Sequence, residues 1–211
     1  MTRRGKKRSK NSRLPTQFAA ESAYAESIFR SALGDTAAAI AALEQALMLK
    51  PDYAPAILSI GSVEYQRQRR ANGKQFFLSL LSLPQETEDL CKIIDEAGSF
   101  LIGVNECADG LELYRTAARK FPDIAELQQG LACCAGHEGA IDEALAASHR
   151  AVDLDPNNAM YLSDLGWTLV LAGRLEEAEA TFQRALAMDP TNEGAQANLE
   201  YCRKRMAGTG P

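Results

Sequence analysis

Histidine is nearly missing from this chain: His137 and His149 are the two among 211 residues. Metal centres and acid–base triads built on histidine therefore have little material. His137-Glu138 is followed by Gly139, not by a second histidine on the same helical face. Phosphate-cradling signatures are absent too, with no G-x-G-x-x-G and no G-x-x-x-x-G-K. Five cysteines (Cys91, Cys107, Cys133, Cys134, Cys202) form no C-x-x-C and are odd in number, which suits reduced thiols better than a disulfide framework or a metal knot. No apolar run approaches the roughly 18 residues of a membrane span. The N-terminal charges are followed by no apolar stretch, so a secretory signal is not expected. Acid pairs such as Asp95-Glu96 and Glu176-Glu177 are ordinary on solvated helix faces. These absences predict no catalytic residues, no metal and no cofactor: a non-enzymatic, cytoplasmic chain.

What is present is a period. Pro156 and Pro190 stand 34 residues apart, and the residues before them fall into register. The last unit reads Leu162, Leu165, Gly166, Leu169, then Ala178, Phe182, Ala185 and Pro190. One period earlier these slots hold Gln128, Leu131, Ala132, Ala135, Ala144, Ser148, Ala151 and Pro156. Gly98, Leu101, Tyr114, Ala117 and Pro122 continue the series, followed backward by Ile57, Ile60, Gly61, Phe77, Leu80 and Pro84, and by Ala23, Ser27, Ala39, Leu43, Ala46 and Pro51. A fixed period of this length specifies a stack of small units.

Each unit carries two apolar stripes at helical spacing, such as Leu162, Leu165, Leu169 and then Ala178, Phe182, Ala185. Gly34, Gly139 and Gly173 separate the stripes and suit the left-handed backbone that ends a helix. Asp189-Pro190 and Asp155-Pro156 punctuate unit ends, because a residue before proline avoids the helical region. No segment alternates as a strand does. The chain is expected to be all-α, with units at about 20–53, 54–84, 91–124, 125–158 and 159–192. Ala195, Leu199, Cys202 and Met206 form a narrow stripe that predicts a capping helix at 193–206, and 85–90 should be a longer connection.

The motif resembles the tetratricopeptide repeat family. That resemblance implies a right-handed superhelical solenoid of about five antiparallel helix pairs over 17–206; outside it, the basic arm at 1–16 and the tail at 207–211 are expected to be disordered. It also implies a concave groove lined by the first helix of each unit. Mapped onto this chain, the groove positions are Tyr24 and Ile28; Leu58, Ser62 and Tyr65; Lys92, Asp95, Glu96 and Ser99; Gln129, Cys133 and His137; and Asp164, Trp167 and Val170. Trp167 is the single tryptophan, and the sequence leaves it two places, groove or core. Family members that clamp a carboxylate tail use lysines and asparagines in such slots. Here Lys92 alone has that chemistry, and Glu96 would repel a carboxylate.

The charge is unevenly spread. Residues 1–13 hold Arg3, Arg4, Lys6, Lys7, Arg8, Lys10 and Arg13 without an acid, a local charge of +7; with −5 on the whole chain, the remainder carries −12. Such an arm is either a solubilising tail or an attachment to RNA, DNA or another anionic surface. Two functions follow: a scaffold or adaptor binding a peptide or helix, neutral or basic and amphipathic, in the groove; or a nucleic-acid-associated factor held weakly and non-specifically by the arm. Neither involves a membrane or a small-molecule substrate.

Overall fold

The computed structural model describes residues 13–209, which fold as eleven α-helices with no strand among them. The chain divides into two compact units that meet in sequence at Ile93-Ile94. The first holds α1 (Arg13–Ala32), α2 (Thr36–Leu49), α3 (Ala54–Gln66), α4 (Arg70–Leu80) and the start of α5 (Leu90–Gly103). The second holds the rest of α5, then α6 (Cys107–Lys120), α7 (Ala125–His137), α8 (Ile141–Leu154), α9 (Ala159–Leu171), α10 (Leu175–Met188) and α11 (Glu193–Met206). No described helix is long and apolar enough to cross a membrane.

Helix ends follow local chemistry. Gly34, Gly139 and Gly173 turn the chain at φ of +77°, +76° and +74°. The matching turn after α3 uses Gln68 and that after α5 uses Asn105, both at φ +62°. Asparagine tolerates this region, whereas glutamine is held there against its preference. Three starts are capped by side chains: the Asp35 carboxylate accepts from the Ala38 N–H (3.1 Å), Asn158 Oδ1 from Met160 N–H (3.1 Å), and Asn192 Oδ1 from Ala195 N–H (2.8 Å). Residues 81–89 form turns between α4 and α5, with Asp89 at φ +53°. Of the basic stretch, residues 1–12 lie outside the described residues, and α1 already begins at Arg13, inside the segment expected to be an arm. At the other end α11 stops at Met206, and residues 210–211 lie outside the description.

Packing in both units pairs an aromatic ring with a glycine. In the first unit Phe77 of α4 lies on Gly61 of α3, and Tyr65 of α3 on Gly73 of α4; the two rings stack at 5.5 Å. A Cβ on either glycine would enter the ring facing it. Ala23, Ile40, Leu43, Ala46, Ala56 and Ile60 form the adjoining core of α1, α2 and α3. In the second unit the Tyr114 ring of α6 is wedged between Gly98 of α5 and Gly130 of α7, and Phe182 of α10 lies on Gly166 of α9. Both rings are fully buried. Within the unit α7 also packs on α9, and α9 on α11.

Candidate partner-binding surface

Between α7 and α9 the second unit opens a pocket of about 340 Å³. Gln129, Ala132, Cys133, Gly136 and His137 line it from α7, and Asp164, Trp167, Thr168 and Leu171 from α9. Small residues at 132 and 136 leave the space that larger ones would fill. Five of the groove positions expected from the sequence thus converge here: Gln129, Cys133, His137, Asp164 and Trp167. Gln129 Nε2 donates to Asp164 Oδ2 at 2.9 Å, which ties the two helices across the pocket floor. The Thr168 hydroxyl donates to the Asp164 backbone carbonyl (2.9 Å) and lies 3.0 Å from Ser148 Oγ of α8, so the polar wall is anchored from behind.

Trp167 belongs to the surface. Its side chain is 37% exposed, and its ring tilts against Tyr201 of α11 with centroids 5.7 Å apart. Tyr201 was not among the expected groove residues. The signal that finds it is the same period, because Cys133, Trp167 and Tyr201 follow one another at 34-residue steps. The helix expected only to cap the array also supplies the aromatic at the next step of this period.

Burial pushes the Asp164 carboxyl above the ordinary aspartate value, an effect that the Gln129 hydrogen bond partly offsets. Asp95 of α5 is raised for the same reason; a 2.9 Å hydrogen bond from the Tyr114 hydroxyl opposes the shift, and Glu126 and Glu96 add to it. The Tyr161 phenol is pushed up to about 12, first by burial and then by Glu126, Asp155, Asp95 and Asp164. Four carboxylates therefore act on one part of this unit. Burial, then Asp164 and Cys107, lifts the Cys133 thiol to about 11, so it stays protonated at neutral pH and is a poor nucleophile or metal ligand.

Two expected groove residues lie elsewhere. Val170 is 1% exposed and belongs to the core with Leu165, Leu169, Phe182, Leu199 and Cys202, because α11 covers that side of α9. Tyr65 is 7% exposed, held between Phe77 and Gly73. The remaining positions are at least partly accessible. Tyr24 meets Tyr53 edge-on at 5.6 Å, Ile28 is exposed, and Leu58 and Ser62 are half-buried on α3. Lys92, Glu96, Ser99 and His137 are exposed, and Asp95 is half-buried. Arg3, Arg4, Lys6, Lys7, Arg8 and Lys10 fall outside the described residues.

Three family models, each described as the tetratricopeptide repeat, match residues 20–53, 98–159 and 135–200. The chain belongs to the tetratricopeptide repeat family. Solved structures agree on the all-helical repeat solenoid. YrrB, described as a tetratricopeptide repeat protein with an unusual peptide-binding site, is 21% identical with a TM-score of 0.60, over 84% of this chain and 90% of its own. TTC0263 of Thermus thermophilus, described as a thermophilic tetratricopeptide repeat protein, is 20% identical with a TM-score of 0.54, over 88% and 99%. The first such domain of Spaghetti (RPAP3), bound to the HSP90 peptide SRMEEVD, is 20% identical with a TM-score of 0.51, over 56% and 93%. No curated protein matches the sequence. At these identities the likeness concerns the fold of this tetratricopeptide repeat protein and not its ligand.

Proposed function

We propose that this chain is a non-catalytic protein-interaction scaffold that binds a peptide or helix of a partner along the inner row of its repeats. One observation carries the reading: the pocket between α7 and α9 is lined by five of the positions expected to face a groove, among them the partly exposed sole tryptophan. Tryptophan and tyrosine concentrate binding energy because they bury much area at small entropic cost. Peptide binding in two of the similar structures supports the same reading. An acidic tail is the wrong ligand for this chain, since Asp95, Glu96, Glu126 and Asp164 would repel it.

A partner captured from native cells and identified by mass spectrometry supplies the ligand for the test. Losing a buried aromatic anchor typically costs about 2 kcal/mol, so Trp167→Ala should raise its Kd roughly thirtyfold. Glu176→Ala, on an exposed position of α10, should leave it unchanged. Equal affinity for wild type and Trp167→Ala would remove the groove from the interaction. The +7 of residues 1–13 supports a second reading, in which the arm attaches to nucleic acid. Deleting residues 2–13 should then abolish RNA or DNA binding, and that binding should weaken with salt by a slope of about −0.9 per phosphate contacted on duplex.

A further inference from the structure

The pocket between α7 and α9 combines a carboxylate, an indole and no lysine or arginine in its lining. Asp164 receives its one side-chain hydrogen bond from the neutral amide of Gln129, and no cation among the described residues pairs with it. His137, at the exposed end of α7, is the only residue of the lining with an ionisable nitrogen. A carboxylate drawn partly out of water without a counter-ion is unfavourable by itself. Trp167 adds a π face that attracts a cation. Glu126, Asp155 and Asp95 give the surroundings the same sign, as their common effect on Tyr161 shows.

We infer that this pocket takes a cationic side chain of the partner, arginine above all, with its guanidinium against the Asp164 carboxylate and the Trp167 indole. The inference rests on the reading of the groove as the partner surface and adds the chemistry of the residue recognised there. Arginine fits better than lysine because its planar group can donate to a carboxylate and stack on a ring at once. A purely aliphatic side chain would exclude water from Asp164 and offer it nothing, the costly case for a buried charge. A glutamate would meet repulsion from every nearby carboxylate.

Trp167 is the only tryptophan, so its fluorescence and its indole N–H resonance report on this pocket in the full chain. Three blocked tripeptides serve as probes: acetyl-Gly-Arg-Gly-amide, its citrulline counterpart, which has nearly the same shape without the charge, and its glutamate counterpart. The arginine peptide should saturate the Trp167 signal, the citrulline peptide should bind at least tenfold more weakly, and the glutamate peptide should leave the signal flat. Asp164→Asn should weaken the arginine peptide about tenfold while leaving helicity and the citrulline peptide unaffected. Gln129→Lys, which puts the chain's own cation beside Asp164, should block the arginine peptide as well and stands in if Asp164→Asn fails to fold.

Equal binding of arginine and citrulline, or unchanged arginine binding in both variants, overturns the inference. If Trp167→Ala still weakens the native partner in that event, the groove reading stands and only the cationic preference falls. If the arginine peptide does not saturate the signal and Trp167→Ala leaves the partner's Kd unchanged, both fall together.

Discussion

The two ends of the repeat array are finished differently. At the C-terminal end α11 lays Leu199 and Cys202 into the core of α9 and α10. The contact is reinforced by a hydrogen bond from the Cys202 thiol to the Leu175 carbonyl and by an ion pair of Arg203 with Glu179 at 2.7 Å. Asn192 caps the start of α11, and Arg203, Lys204 and Arg205 place positive charge in its last turn, where the helix dipole favours it. At the N-terminal end α1 and the turn after it present Phe18, Ile28, Phe29 and Leu33 to solvent, each more than half exposed. A repeat cannot bury its apolar face alone. One end answers that constraint within the chain, whereas the other leaves apolar side chains uncovered among the described residues.

The largest test of this contrast removes the cap. Ending the chain at Asn192 takes away the buried Ala195, Leu199 and Cys202 and wets the face formed by Leu165, Leu169, Val170 and Phe182. The cost should be about 3 kcal/mol or more by analogy with large core deletions, seen as a lower Tm and aggregation on heating. An unchanged melt would mean that α11 contributes nothing to closure. A matched pair of substitutions sharpens the point. Phe182→Ala, in the core under α11, should cost about 3–5 kcal/mol, while Phe29→Ala on α1 should stay within about 0.5 kcal/mol. Comparable losses at both positions would mean that the α1 face is covered in solution.

A smaller effect is expected within the second unit from Gly130→Ala. The added methyl would collide with the Tyr114 ring, which is trapped against Gly98 on its other side. Overpacking of this kind costs about 1–3 kcal/mol, readable by chemical denaturation. Tolerance would show that α6 and α7 can part without loss.

Much of this was legible beforehand because the repeat imposes the same physics at each step. Gly34, Gly139 and Gly173 stand where their lack of a side chain lets the chain reverse. Gln68 and Asn105 make the same turn without advertising it, since the geometry there is imposed by the helices they join. Legibility was poorer for the inner row, where one position serves two purposes. Val170 sits at one of the slots expected to face the groove, and here α11 covers it. Tyr65 was drawn inward by a partner eight residues on, Gly73, whose missing side chain creates the cavity the ring fills. Neither effect has a local signature. Tyr201, by contrast, could have been found by continuing the period one step past Trp167.

The smallest expected effect has the opposite sign and joins the finished end to its proposed role. Asp164 has a raised folded pKa, with burial as the leading cause. The folded state therefore holds the proton to higher pH than the unfolded chain does. Stability from this group is full below the ordinary aspartate value of 3.8 and is lost as pH rises through the folded value. At neutral pH the ionised side chain opposes folding, so Asp164→Asn, which can still accept from Gln129, should raise Tm slightly. The gain should shrink as pH falls through the raised folded value and be gone below about 4, where both side chains are neutral in the folded and the unfolded chain, and following the difference between the two proteins removes the titration of all other groups. A saturating arginine tripeptide should stabilise the wild type more than the variant and narrow the neutral-pH gap, because a ligand that binds the folded state adds stability that grows with its affinity. A variant less stable than wild type at neutral pH would mean that the carboxylate is compensated within the chain, and the pocket would lose its reason to seek a cation from a partner.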